Sequence, residues 1–229
     1  MIRMVVFDMA GTTIDEDNVV YKCVRKALNE YQIPATLEQV LEFGAGKEKL
    51  QAIKDVYAEV MQETVDETTA KTIYDKFSVL LEDAYEMIDM KLFEGLRSTL
   101  FFLYKRDVKV VFNTGYTKDV ATKILKKVDC IVGRDIDLLV TADMVEKSRP
   151  APDMINYALH HFHIKPWECI KVGDSAIDIL EGKNAKVKYS IGITTGAQTK
   201  EQIAQENPDY IIQNLRELIP LIEDANNTL

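Results

Sequence analysis

Five short apolar runs punctuate the 229 residues: Ile2 to Phe7, Val108 to Phe112, Asp137 to Val140, Cys169 to Val172 and Tyr189 to Ile193. Their lengths and the turn residues that bound them read as buried strands, and helix-like stretches lie between most of them. Strands that alternate with helices imply an α/β protein whose parallel sheet is covered on both faces. Ligands of such sheets bind beyond the C-terminal ends of the strands, so the loops that follow the runs are where function is to be sought.

One stretch breaks the alternation. Between Asn18 and Met90 no β-rich run occurs, and apolar residues recur at helical spacing through Val20-Val24-Leu28, Leu50-Ile53-Val56-Val60 and Ile73-Phe77-Leu80-Leu81. This is a helical insert after the first strand, a candidate cap over the strand ends. The expected division is a core of residues 1–16 and 92–229 with a helical cap of residues 17–91. The tail from Ile211 to Leu229 reads as a final helix with a frayed polar end.

Charge narrows the partners. Lys and Arg total 28 against 37 Asp and Glu, a net charge of -9 that disfavours nucleic acid. A small phosphorylated substrate needs only a local cluster of cations. Cys23, Cys130 and Cys169 are far apart and form no CxxC pair, so they read as reduced thiols. No segment approaches the roughly 18 apolar residues of a membrane span, and the start of the chain has no signal-peptide pattern. A cytoplasmic location without membrane contact is the expectation.

Four loops carry the chemistry. Asp8-Met-Ala-Gly-Thr-Thr-Ile-Asp15 puts a carboxylate directly after a buried strand, positioned either to attack an electrophile or to cap a turn. In Phe112-Asn-Thr-Gly-Tyr-Thr117 the Thr114 hydroxyl and the amides around Gly115 suit phosphate oxygens, or a plain helix cap. Two prolines in Glu146-Lys-Ser-Arg-Pro-Ala-Pro-Asp153 hold Arg149 as a fixed cation; a solvated surface arginine is the alternative. Lys171-Val-Gly-Asp-Ser-Ala-Ile-Asp178 offers Asp174 and Asp178, hard oxygen donors suited to Mg²⁺. His160, His161 and His163 read as surface residues, and Tyr116 either touches substrate or packs against the cap.

In these four loops the sequence resembles the haloacid dehalogenase superfamily, whose Rossmann-like core would span nearly all of the chain outside the insert. The resemblance implies Asp8 as nucleophile, with Mg²⁺ bound by Asp8, the main-chain carbonyl of Ala10 and Asp174. Thr114, Gly115 and Arg149 would hold phosphate, and Asp178 would support the metal or Arg149. Phosphatases of this superfamily carry a second Asp, a general acid, two residues after the nucleophile; this chain has Ala10.

The Asp-x-Ala-Gly-Thr pattern is similar to phosphonoacetaldehyde hydrolases, in which a cap lysine forms a Schiff base with the substrate aldehyde. A protonated imine accepts the electrons of the breaking C–P bond, so no acid is needed at position 10. Gly44-Ala-Gly-Lys47 matches that family's Gly-x-x-Lys, which makes Lys47 the candidate amine and substrate-binding residue; the alternative is a solvated lysine at a helix start. Two departures are Leu50, where the family has His, and no Cys between Asp15 and Tyr21.

Three readings follow. The first is phosphonatase-like C–P cleavage of a small phosphonate; the second is a phosphatase acting on a small phosphate monoester. The third is a non-catalytic protein that binds a phosphorylated ligand. The resemblance also implies a homodimer formed through the cap.

Overall fold

Alternation along the first strand, β1 (Met4–Asp8), fixes the two faces of the protein, because successive side chains of a strand point to opposite sides. Met4 and Val6 belong to one apolar cluster, Val5 and Phe7 to another, and all four are fully buried. The computed structural model describes residues 1–227; the end of the polar tail, Thr228 and Leu229, lies outside the described residues.

After β1 come β2 (Ile14–Asp15) and four helices, α1 (Val19–Glu30), α2 (Leu37–Gly44), α3 (Lys49–Met61) and α4 (Glu67–Met87). Then follow β3 (Lys91–Leu92), α5 (Leu96–Tyr104), β4 (Lys109–Thr114), α6 (Lys118–Lys127), β5 (Leu138–Thr141), α7 (Asp153–Phe162), β6 (Cys169–Gly173) and α8 (Ala176–Asn184). The chain ends with β7 (Tyr189–Ile193), α9 (Lys200–Ala204), β8 (Tyr210–Ile212) and α10 (Leu218–Asn227).

Six strands form a parallel sheet in the order β5-β4-β1-β6-β7-β8, and helices cover both of its faces. The register puts Asp8 beside Asn113 and Phe7 beside Val172, so β1, β4 and β6 end together and their loops share one edge. Strand order reverses at β1, the position where such sheets leave a crevice for ligands. On one face α7 packs Met154, Ile155, Ala158 and Leu159 against Met4, Val6 and Val111. On the other, the Phe7 and Phe112 rings meet edge-on at 6.1 Å, and the same cluster continues into α1–α4 through Val24, Ile53, Ile73 and Phe77.

The inserted helices start where side chains can take up free N–H groups. Thr36 and Gln39 form a reciprocal capping box on α2, and Asp66 accepts from Thr68 and Thr69 at 3.0 Å to begin α4. Glu48 caps α3, accepting from Leu50 at 2.9 Å and Gln51 at 3.0 Å. The cap makes Lys49 the first helical residue.

Two features depart from the sequence reading. The tail holds an edge strand, β8, inside the segment read as helix, and α10 begins only at Leu218. Three residues on a sheet edge are too short to display a period of two. The antiparallel pair β2–β3, with Ile14 opposite Leu92, is likewise too short to read and joins the two chain segments that flank α1–α4. The three cysteines are free and buried, and no described helix is long and apolar enough to cross a membrane.

Replacing Phe7, fully buried at the centre of this packing, by Ala should destabilise the fold by about 3–5 kcal/mol. Urea unfolding of the two proteins checks it; a change below about 1 kcal/mol would show that the sheet face is not the tightly packed core described.

Candidate active site

The shared strand edge assembles all four loops. Asp8 ends β1 and is almost fully buried; its Oδ1 accepts from Arg149 Nη1 at 2.7 Å. The loop behind it is held by the Thr13 hydroxyl, which donates to Asp8 O at 3.0 Å and Met9 O at 3.1 Å, and by a bridge between Ala10 and Ile14. Gly11 has φ +82°, a conformation that favours glycine, and a methyl group there or at Gly196 would collide with the Asp174 carboxylate. Asp174 is held by the Thr12 hydroxyl at 3.2 Å and the Ala197 N–H at 2.6 Å.

Both terminal nitrogens of Arg149 are engaged, while its buried Nε forms no hydrogen bond with the described residues. Besides Asp8, Nη1 lies 3.1 Å from Asp178 Oδ1, Nη2 donates to Asn113 O and Oδ1 at 2.7 and 2.8 Å, and Nε lies 3.2 Å from Glu181 Oε2. Burial opposes its charge, but Asp178, Asp8 and Glu181 together raise its pKa above the usual arginine value. It is a permanent cation fixed against the candidate nucleophile.

A second buried cation stands behind it. Lys171 in β6 is fully buried, donates to Asn113 Oδ1 at 2.6 Å, and lies 2.9 Å from Asp178 Oδ1 and 3.3 Å from Glu181 Oε2. Asp178 gives its other oxygen to the Ser175 hydroxyl at 2.6 Å. Burial works against its charge, yet Arg149 and Lys171 hold its pKa below the ordinary carboxylate value. Its Oδ2 is hydrogen-bonded, and its Oδ1 stands between the Arg149 and Lys171 charges without forming a hydrogen bond to the described residues.

Asp8 and Asp174 are in the opposite condition. Burial first, then neighbouring carboxylates, raises both; Asp174 is pushed up to about 8 with Asp8 its largest charged neighbour. Asp8, Asp174 and Asp178 bring carboxylate oxygens within 4.8 Å of one another. Counting Glu181, four buried carboxylates face the two cations Arg149 and Lys171, an excess of two negative charges. Hard oxygen donors with that excess fit a divalent cation, and Asp8 and Asp174 are the carboxylates with capacity left to hold it.

Thr114 and Gly115 stand at the end of β4 as read from the sequence. The Thr114 oxygen accepts from Tyr116 N–H at 3.2 Å, which leaves its proton to give to a ligand. Helical-insert backbone lies directly over this loop: a Cβ on Gly115 would sit 3.0 Å from Lys47 O. Gly46, at φ +73°, packs against Ser175 and donates its N–H to the Tyr21 hydroxyl at 3.1 Å. Tyr116 packs edge-on against Tyr85 of α4 at 6.5 Å.

The structure does not bring the Lys47 ammonium to this group; it pairs with Asp55 on α3. Lys49 turns inward instead. Its Nζ donates to Lys47 O at 2.7 Å and lies 5.4 Å from the ring centres of both Tyr21 and Tyr116. Burial lowers its pKa to about 8, partly offset by Asp8, the carboxylate that acts on it most. Glu16, just after β2, is 2% exposed, and burial pushes it up to about 8.

Sequence reasoning did not single out Lys49, Glu16, Asn113, Lys171 or Glu181. Two signals were available. Gly46-Lys-Glu-Lys49 repeats the Gly-x-x-Lys spacing two residues on, and Lys171 interrupts an apolar strand with a charge. The three histidines are exposed around the end of α7.

With this geometry in place, the family model described as haloacid dehalogenase-like hydrolase matches residues 5–192. A phosphoglycolate phosphatase of Pseudomonas fluorescens is 26% identical over 226 residues, covering 95% of this chain and 79% of that protein. Pyrophosphatase PpaX of Anoxybacillus flavithermus is 27% identical over 224 residues, covering 96% and 97%. A phosphonoacetaldehyde hydrolase like protein from Oleispira antarctica superposes with a TM-score of 0.82 at 21% identity, over 99% of this chain and 93% of that one; this likeness speaks for the fold alone.

Raised carboxyl pKa values fix the sign of a pH effect. Between about pH 5 and 8 the folded, metal-free protein holds protons on Asp174 and Glu16 that the unfolded chain has released, and Asp8, whose pKa is also raised, acts in the same direction, so stability falls as pH rises. Each such group contributes up to about 1.4 kcal/mol per pH unit within its own window. With chelator present, the thermal midpoint should fall from pH 5 to pH 8, and an excess of divalent cation should restore most of it at pH 8. A midpoint in chelator that does not change with pH would refute this electrostatic account.

Proposed function

This chain belongs to the haloacid dehalogenase-like hydrolases, and from that premise we propose that it cleaves the C–P bond of a small carbonyl phosphonate such as phosphonoacetaldehyde, through an aspartyl-phosphate at Asp8. The observation that carries the reading is the buried Lys49 amine, which has a lowered pKa and lies in the field of Asp8, while position 10 supplies no acid. A desolvated lysine is partly neutral near pH 8 and is a competent nucleophile toward a carbonyl carbon. The amine role assigned from sequence to Lys47 is thereby moved to Lys49.

Asp8 attacks phosphorus with an oxygen that Arg149 orients, and the guanidinium offsets charge on the phosphoryl group. The Thr114 hydroxyl and the Gly115 amide hold phosphoryl oxygens. Lys49 forms an imine with the carbonyl fragment and water leaves; as the C–P bond breaks, its electrons move into that imine and give an enamine, so the leaving group needs no proton from position 10, and the enamine then takes a proton at carbon and is hydrolysed to the aldehyde and the free amine. Water then releases phosphate from Asp8. Asp8, Asp174 and the Ala10 carbonyl would hold Mg²⁺, which would supply neutralisation of the charge that gathers during phosphoryl transfer.

A second reading, hydrolysis of a small phosphate monoester, is favoured by the names of the phosphoglycolate phosphatase and pyrophosphatase relatives. Phosphate release from phosphonoacetaldehyde and from phosphoglycolate, each with and without Mg²⁺, separates the two. Release from phosphoglycolate alone would move the assignment to an ester. Asp8→Asn should abolish release in either case. Lys49→Arg should remove C–P cleavage by at least about 10²-fold while Lys47→Arg stays within a few-fold of wild type. The reverse order would return the amine to Lys47, and release by neither substrate would favour a ligand-binding role.

A further inference from the structure

Packed helices leave few voids larger than a water molecule between them. Helix α4 of the insert and helix α6 of the core depart from that rule, because a cleft of ≈ 780 Å³ lies between them. Its apolar walls are Phe77 and Leu81 of α4, Val120 and Ile124 of α6, and Met90 beyond α4. Lys49 and Gly115 line the same cleft, so it is continuous with the candidate active site. Charged groups along it are engaged by the protein or stand at its rim. Glu82 pairs with Lys123 at 2.7 Å, joining α4 to α6, and Lys127 donates to the Glu86 and Ile88 carbonyls at 3.2 Å. Glu48 caps α3, and Asp143 accepts from the Thr141 hydroxyl at 2.6 Å and from Lys118 N–H at 3.1 Å. Glu86 and Lys126 are exposed. What the cleft offers a ligand beyond Lys49 and Gly115 is carbon.

Size and direction say what enters it. Pockets for ligands of drug size span about 300–1,000 Å³, and phosphonoacetaldehyde, two carbons and a phosphonate, is far too small to fill such a space. In the C–P reading the phosphoryl group sits at Asp8 and Gly115, and the carbonyl carbon meets the Lys49 amine. That carbon has one further substituent. In the aldehyde it is hydrogen, and it is the only part of the substrate left to extend from Lys49 along the cleft.

We propose that the substrate is a β-ketophosphonate whose carbonyl carbon bears an apolar alkyl group, and that this group lies in the cleft between α4 and α6. Lys49 and the ketone give a ketimine and water. The C–P bond breaks, its phosphoryl group passing to Asp8 and its electrons into the imine. The enamine takes a proton at carbon, and water then frees a methyl ketone and the Lys49 amine. A further water releases phosphate from Asp8, so the net change consumes one water and yields methyl ketone and phosphate. Phe77, Leu81, Val120 and Ile124 set the specificity, each methylene buried among them favouring the substrate by about fourfold. The inference rests on the C–P reading given above.

Phosphate release by the full-length protein with Mg²⁺ tests it, using phosphonoacetaldehyde and β-ketophosphonates that bear methyl, propyl and pentyl groups. Within the ketone series, where the carbonyl is equally reactive, kcat/KM should rise with chain length, by about 10²-fold from methyl to pentyl. V120W fills the cleft from α6 and should lower that pentyl-to-methyl ratio at least about tenfold, with the thermal midpoint measured alongside to show that it folds. Cleavage of phosphonoacetaldehyde together with a ketone series that is flat or falls with length overturns the proposal and leaves the C–P reading standing. A rising series whose ratio a folded V120W does not change overturns the placement in the cleft. Release from none of the phosphonates by folded wild type removes the C–P reading, and the proposal with it.

Discussion

The ion pair between Arg149 and Asp8 is the contact on which the site depends, because it draws a permanent cation into the protein interior. An unpaired buried guanidinium would be untenable, and truncating one partner of such a pair typically costs about 3–5 kcal/mol. Its other nitrogens need partners too: Asn113 accepts from Nη2, and the Asp178 and Glu181 carboxylates lie 3.1 and 3.2 Å away, although Nε forms no hydrogen bond with the described residues. These acids in turn require Lys171. The result is a rigid lattice of charge in which burial and repulsion push Asp8 and Asp174 toward protonation, the two carboxylates with capacity left for chemistry. Rigidity is what makes such charges useful, since dipoles and ions fixed in advance need no reorganisation as the reaction proceeds.

Bringing that lattice to one point is a task for glycine and for strand register. Asp8, Asn113 and Gly173 come from strands far apart in sequence, and parallel pairing in step is what sets them side by side. Gly11 and Gly196 let two further loops close on Asp174, and Gly46 and Gly115 let the helical insert lie backbone to backbone on the strand ends. A side chain at any of these positions would hold apart elements that must touch. The insert can then bring Lys49 against the Tyr116 ring at the end of β4 without the reach of a long flexible loop.

Much of this was legible in the sequence because it lies in chain order. The five strands, the insert and the loops bearing Asp8, Thr114, Arg149 and Asp174 follow from periodicity and from what ends each run. Helix phase was not legible in the same way. Lys47 and Lys49 both satisfy Gly-x-x-Lys, and the Glu48 cap, which starts α3 at Lys49, decides which ammonium turns inward and which meets Asp55. Glu16 was hidden for a related reason. In Asp15-Glu16-Asp17 nothing local distinguishes the middle acid, and only the short β2–β3 ladder and the start of α1 sequester it while Asp15 and Asp17 stay exposed. Lys171 and Glu181 needed the pairing of β6 with β1 before their burial had meaning.

The absence of an acid at Ala10 fits the charge balance of this lattice. An acid two residues from the nucleophile lies beside the phosphoryl group and suits an oxygen leaving group that must be protonated as it departs. In a C–P cleavage the electrons go to an imine, and protons are needed where the amine meets the carbonyl. The Lys49 ammonium lies on that side, 5.4 Å from the Tyr21 and Tyr116 ring centres, and burial lowers its pKa. A carboxylate at position 10 would also add a negative charge to a cluster already in excess by two, beside carboxylates that burial and repulsion already strain toward protonation. With no acid on the first loop, the charge balance at Asp8 is left to Arg149 and to any divalent cation the carboxylate cluster would hold.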